Sequence, residues 1–229
     1  MKQRADVAGS GPGTITPDGC AVDFYRRLSA RGEPEIVHAA VPEGASIVEF
    51  GCGTGRISTP LAHLGHEVVG VDESPEMLEH CREIRTVCCA IEDLDLDERF
   101  DVVLLASHLV NAPEPKRTAL LQVARRHLAP GGTVVVQRHR PGWVQTATDT
   151  EHDDGEVRST LTVLDRPEPG RLHARMSYAV GDAVWEHEFT TSDLRDEELP
   201  GALAAADLRL GRVLTEDGSW FTALEAASA

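Results

Sequence analysis

No stretch of this chain approaches the ~18 consecutive apolar residues that a membrane-spanning helix needs. The opening residues, MKQRADVAGSGPGTITPDG, also lack the apolar centre of a secretory leader. Both absences predict a cytoplasmic chain with no membrane partner. Metal spacing is missing too. The five cysteines Cys20, Cys52, Cys81, Cys88 and Cys89 form no C-x-x-C pair with histidines at zinc distance. An odd number of thiols fits a reducing compartment better than a disulfide framework, and no metal is expected. Basic residues are few, 22 against 38 acidic, for a formal charge of −16. Runs of them reach only two, as at Arg26-Arg27 and Arg125-Arg126. Such a chain repels a phosphate backbone, so nucleic acid is not expected as a partner. Solubility is the simplest account of the acidic excess. Aromatic residues make up only 4%, so any grouping of them is informative. No internal repeat is visible, and 229 residues suffice for one full core, with a possible cap.

What is present centres on Ile47 to Ser58, IVEFGCGTGRIS. Apolar Ile47-Val48 lead to Glu49, then to glycines at alternate positions, Gly51, Gly53 and Gly55. Ile57, Leu61 and Leu64 follow at helical spacing. The pattern predicts strand, tight turn, helix. Glycine tolerates positive φ and lets a ligand approach the backbone, and the first N–H groups of the helix add partial positive charge. A second apolar strand, Glu67 to Val71, ends in Asp72. That acid lies about 20 residues past the first glycine, the offset at which a Rossmann-type carboxylate meets ribose hydroxyls. The glycine spacing is G-x-G-x-G, not the G-x-G-x-x-G of dinucleotide binders. A nucleoside ligand without a pyrophosphate fits better, which disfavours a nicotinamide-dependent oxidoreductase.

Glu49-Phe50-Gly51-Cys52-Gly53-Thr54-Gly55, with Val69-Gly70-Val71-Asp72-Glu73-Ser74-Pro75-Glu76-Met77-Leu78, resembles the first two motifs of class I S-adenosylmethionine (SAM) dependent methyltransferases. Phe100 to Leu104 and Leu128 to Thr133 are similar to the later motifs, so the likeness covers roughly residues 34 to 140. It implies SAM as cofactor. Glu49, Gly51 and Gly53 would hold its methionine end, and Asp72 its ribose. Glu73 and Ile91 would flank adenine. The family often has an acid where this chain has Ala90, so Glu92 or Asp93 would have to supply that contact. By the same resemblance Tyr25 would close on the methionine end, with ordinary packing as its other reading. Ser107 is counted with the cofactor-binding residues.

The alternation of strand and helix from residue 34 to 140 predicts a Rossmann-like, doubly wound α/β sheet. The resemblance completes it to seven strands, the closing one antiparallel. Residues 1–19 are rich in Gly, Pro, Ser, Thr and Asp and predict a loose lead, part of a lead and lid over 1–33. Helical patterns are expected at 22–28, 36–40 and 114–128. Period-two alternation at 156–165, 171–180 and 183–190, broken at 167–170 and 181–182, predicts three antiparallel strands. They form an insertion over 141–190 that would shape an acceptor pocket. Thr191-Ser192-Asp193 is expected to open a last helix through Ala206, and a hairpin near 208–224 completes the closing segment 191–229.

Methyl transfer from a sulfonium is an in-line displacement, so alignment and water exclusion matter most, with a base useful for a hydroxyl or a protonated amine. Open α/β sheets place chemistry at the carboxyl ends of their strands. That selects Ser107, His108, Asn111, His139, Arg140 and nearby Trp143. His139 is the first candidate base and His108 the second, because histidine titrates near neutrality. Trp143, Tyr178, Trp185 and Phe189 would line an aromatic pocket or pack as core. The reading is a methyltransferase acting on an O or N atom of a small molecule. Its alternative is a SAM-binding protein without transferase activity, a regulator or inactive partner. An RNA methyltransferase is opposed by the charge.

Overall fold

The computed structural model describes residues 7–227. Residues 1–6 of the expected lead and 228–229 of the closing segment lie outside them. The described residues divide into two compact units, 29–141 with 194–227, and 7–28 with 142–193.

The larger unit is built on a seven-stranded sheet. Its strands are β2 (Ser46–Phe50), β3 (Glu67–Asp72), β4 (Arg85–Cys88), β5 (Phe100–Leu105), β6 (Leu128–Gln137), β11 (Leu208–Val213) and β12 (Trp220–Glu225). Their order is β11-β12-β6-β5-β2-β3-β4. All pairings among β2 to β6 are parallel, and β12 is antiparallel to both its neighbours. This is the expected doubly wound sheet with one reversed strand. Near-continuous apolar runs form these strands because both faces are covered. Val48, Phe50, Val103 and Leu105 meet helices Lys116–His127 and Leu199–Ala204 on one face. Ile47, Val102 and Leu104 meet Glu33–Ala40 and Ser58–His63 on the other. From β2 the chain winds outward through β3 and β4, then returns to β5 on the opposite side. The switch in direction opens a crevice at the carboxyl ends of β2 and β5.

The smaller unit is an antiparallel sheet of β1 (Ala8–Ser10), β7 (Thr150–Asp153), β8 (Arg158–Asp165), β9 (Arg171–Val180) and β10 (Ala183–Ser192), in the order β1-β10-β9-β8-β7. The three expected strands are present, and two short ones extend them to five. From residue 7 onward the lead is not loose. Ala8 to Ser10 pair with Glu186 to Glu188, and Trp185 Nε1 donates to the Pro12 carbonyl at 2.8 Å. Its glycines serve close packing. A Cβ on Gly9 would lie 2.0 Å from the Gly19 oxygen, and one on Gly11 would lie 2.6 Å from the Trp185 ring. Composition that suggests flexibility here permits contact instead.

Thr191-Ser192-Asp193 does not open the last helix. β10 runs on through Ser192, Thr191 pairs with Leu172, and the helix begins at Leu199 with Pro200 in its first turn. Pro130-Gly131-Gly132 lies within β6 rather than before it, where the register against β5 shifts. The helices expected at 22–28, 36–40 and 114–128 form over Val22–Tyr25, Glu33–Ala40 and Lys116–His127. Ser74 caps the short helix Pro75–Leu78, accepting from the Met77 N–H at 3.2 Å. Among the described residues no helix is long and apolar enough to cross a membrane.

Candidate active site

Two chain segments meet at the crevice of the larger unit. The first is the turn after β2. Gly51, Gly53 and Gly55 have φ of 67°, 56° and 82°, values that glycine adopts without a Cβ clash. No atom lies within 4 Å of the place where a Gly53 Cβ would sit, so the turn faces open space there. The Gly53 N–H donates to Asp72 Oδ2 at 2.9 Å, and the Ser74 N–H donates to Asp72 Oδ1 at 2.9 Å. These bonds, one to each oxygen, hold the carboxylate plane against the glycine turn.

Glu49, at the end of β2, is 2% exposed. Burial pushes its carboxyl up to about 7, against the opposing hydrogen bond from Ser58 and the charge of Arg56. Ser58 Oγ donates to Glu49 Oε2. Arg56 is engaged by Glu33, at 2.5 Å. Burial works against the Glu33 carboxylate, but hydrogen bonds from Arg56 and the Arg31 backbone outweigh it and hold it below the ordinary range. Glu49 is therefore a buried acid whose ionisation becomes favourable when a cation arrives.

The adenine-side candidates gather less tightly. Ile91 opens a 3-10 turn, Ile91–Asp93, and its side chain lies 4.0 Å from where a Gly51 Cβ would be. Glu92 is exposed and turned to Lys116, 3.7 Å away. Glu73 directly follows Asp72 and is half-buried.

The second segment follows β5. Ser107 and His108 have φ of 53° and 62°, uncommon for residues with side chains and costing about 1 kcal/mol or more each. Such strain concentrates at functional sites. The His108 and His139 rings stack, with centroids 4.1 Å apart and planes 20° apart. Burial lowers His108 to about 4, although the Arg138 backbone and Glu33 pull the other way. Burial, then the neighbouring His108, lowers His139 to about 2. Both are neutral at physiological pH. His108 Nδ1 is buried and has no hydrogen-bond partner, a cost that a polar ligand would relieve. The Ser107 N–H donates to Gln137 Oε1 at 2.8 Å, and the His139 N–H donates to Asn111 Oδ1 at 2.8 Å. Arg138 is 1% exposed, donating to the Gly218 and Leu194 carbonyls at 2.9 and 2.7 Å and to Asp196 at 2.5 Å.

The larger unit thus brings together Glu49, Gly51, Gly53 and Asp72, and separately stacks His108 on His139. Ser107 is exposed beside the stack, and Arg140 is exposed past it. Tyr25 belongs to the smaller unit, where Phe24 meets its ring edge at 5.8 Å and Cys20, then burial, push its phenol well up. The four expected pocket aromatics divide between two clusters. Tyr178 and Trp185 pack with Phe24, whereas Trp143 and Phe189 join Val144 and Leu172. Sequence reasoning passed over Ser58, Arg56, Glu33, Gln137 and Arg138. Ser58, nine residues beyond Glu49 at the mouth of the glycine-started helix, had a positional signal. The others had none.

The arrangement has counterparts. A family described as methyltransferase domain matches residues 47–132, the segment from β2 to the turn within β6. Residues 47–132 are a methyltransferase domain, and the fold is that of S-adenosylmethionine-dependent methyltransferases. An uncharacterized methyltransferase of Mycobacterium tuberculosis is 32% identical over 161 residues, 66% of this chain and 64% of that protein. The chain therefore spans a little under two thirds of the curated relatives it matches first. The CcbJ methyltransferase of Streptomyces caelestis shares the fold at a TM-score of 0.75, with 24% identity over 90% of this chain and 96% of that one. The sugar N-methyltransferase KedS8 of a Streptoalloteichus species does so at 0.69, with 18% identity over 95% and 98%. Other solved neighbours hold SAM or its demethylated product. The open Gly53 backbone, the buried Glu49 and the braced Asp72 fit the polar ends of such a ligand.

Proposed function

We propose that this protein transfers the methyl group of SAM to a nitrogen of a small molecule. The carrying observation is the glycine turn set between Glu49 and Asp72 at the switch between β2 and β5. Glu49 takes the ammonium of the methionine end, Gly51 and Gly53 let the ligand approach the backbone, and Asp72 accepts from the ribose. Ile91 and Glu73 flank adenine, with Glu92 at its rim and Ser107 on the β5 side. SAM supplies an activated methyl on a sulfonium, so the protein's task is alignment and exclusion of water.

His139 and His108 stand where the acceptor reaches the sheet edge. Their neutrality favours nitrogen over oxygen. An imidazole of such low proton affinity is a poor base for a hydroxyl but can orient an uncharged amine by accepting its N–H. The sugar N-methyltransferase activity in the name of KedS8 points the same way. The substrate class is accordingly a small amine-bearing molecule rather than a nucleic acid, consistent with the charge of −16.

Calorimetric titration with SAM tests the cofactor half. Binding is expected in the micromolar range, weakened at least tenfold in Asp72→Ala. Formation of S-adenosylhomocysteine is then followed with paired acceptors, an amine and its hydroxyl analogue. Turnover on the amine alone is expected. Turnover on the alcohol alone would overturn the choice of nitrogen, and tight binding of SAM with no turnover on any acceptor panel would favour a non-catalytic SAM binder.

A further inference from the structure

The backbone pairing of β5 with β6 ends at Leu105 and Val136. Beyond that point the main chain of Gln137 turns to β12, pairing with Trp220. Strand ends left in this way fray. Here two side-chain amides continue the join. Gln137, from the β6 side, accepts the Ser107 N–H. Asn111, from the β5 side, accepts the His139 N–H. The bonds cross between the segments and are equal in length, 2.8 Å. Asn111 is 1% exposed and sits at the end of a 3-10 turn, where its N–H donates to the His108 carbonyl at 2.8 Å. Each amide holds the backbone at, or next to, one histidine of the stack.

We infer that Asn111 and Gln137 are positioning residues whose crossed amide bonds hold His108 and His139 face to face at the acceptor edge of the sheet. The left-handed backbone at Ser107 and His108 needs such restraint, because those residues alone would relax toward ordinary φ values. With the Ser107 N–H released, the turn carrying His108 is free to unwind. With the His139 N–H released, the ring loses its fixed height against its neighbour. Besides burial, the Arg138 carbonyl, Glu33 and Arg56 act on His108, and His108 acts on His139. None of these is altered by changing the two amides. The role in acceptor alignment rests on the methyltransferase reading; the clamp itself does not.

Proton NMR of the imidazole signals, assigned with His108→Gln and His139→Gln, tests the clamp without any acceptor. In the native protein both rings are expected to show upfield stacking shifts and to remain neutral from pH 5 to 8. In Asn111→Ala the stacking shifts should be lost and His139 should titrate at least one pH unit closer to the free value of ~6.5. Gln137→Ala should do the same to His108, and the SAM dissociation constant should stay within threefold of native in Asn111→Ala. Asn111→Asp keeps an acceptor oxygen and should keep the stacking shifts. Unchanged imidazole signals in Gln137→Ala and in folded Asn111→Ala would overturn the proposal. So would parallel collapse of melting temperature and SAM affinity in both alanine variants, which would mark the amides as general supports of the sheet. If the native protein fails to bind SAM, the methyltransferase reading falls, while the stacking shifts still decide the clamp.

Discussion

Glu49 is a carboxyl placed where its own charge is unwelcome. Its raised value of about 7, against an ordinary 4.5, means that the folded protein holds this proton more tightly than the unfolded chain. Its contribution to stability is therefore complete below about pH 4.5 and lost as pH rises through 7. Glu49→Gln should melt higher than the native protein at pH 8 in the absence of ligand, by up to roughly 3 kcal/mol. The two should converge at pH 4.5, as scanning calorimetry would show. The same variant should bind SAM at least tenfold more weakly, and the rise of native affinity between pH 6 and 8 should flatten in it. A variant less stable than native at pH 8 would contradict this account. The glycines, Glu49 and Asp72 were legible in the sequence because spacing along one strand-turn-helix unit sets their positions. Ser58, Arg56 and Glu33 were not, since their meeting depends on how the turn curls and on a helix that arrives from upstream.

At the scale of elements, Arg138 ties the end of β6 to the segments around Leu194 and Gly218. Arg138→Ala would remove one donor from each of the Leu194 and Gly218 carbonyls and open a buried space. A loss of about 3 kcal/mol or more is expected, measurable by urea unfolding. Asp196 is its ionic partner but is 76% exposed, so Asp196→Ala should cost under about 1 kcal/mol. Equal losses would show the ion pair, not the carbonyl bonds, to be the tie. In β3, a Cβ on Gly70 would lie 2.7 Å from Cys52 Sγ. Gly70→Ala is expected to destabilise by about 1–3 kcal/mol through overpacking under the glycine turn, and its thermal midpoint should fall accordingly. The parallel strands were readable from their apolar runs and turn residues. The start of the last helix was not, because Thr191-Ser192-Asp193 has the composition of a cap while its backbone is claimed by β9. Local preference yielded to a ladder of long-range bonds.

For the molecule as a whole, the formal charge of −16 acts on whatever approaches it. SAM carries one net positive charge near neutrality, and its demethylated product carries none. Association of SAM should therefore slow several-fold between 20 and 300 mM salt, while association of the product changes little. Stopped-flow fluorescence would resolve the two, and identical salt dependence would remove steering from the account. The charge and the core sheet could be read from the sequence directly. So could three strands of the smaller unit, but not the two short ones. Its first strand comes from residues whose glycines suggested looseness, and its partner strand lies far along the chain.

That pairing, of Ala8–Ser10 with Glu186–Glu188, sets an order of events during synthesis. Chains emerge from the ribosome at about 5–20 residues per second, so the first strand waits some tens of seconds before its partner exists. The parallel strands β2 to β6 emerge complete within that interval. The N-terminal segment spends it as an unpaired edge, and its short length and glycine content suit it to that wait, offering a poor template for a neighbouring nascent chain.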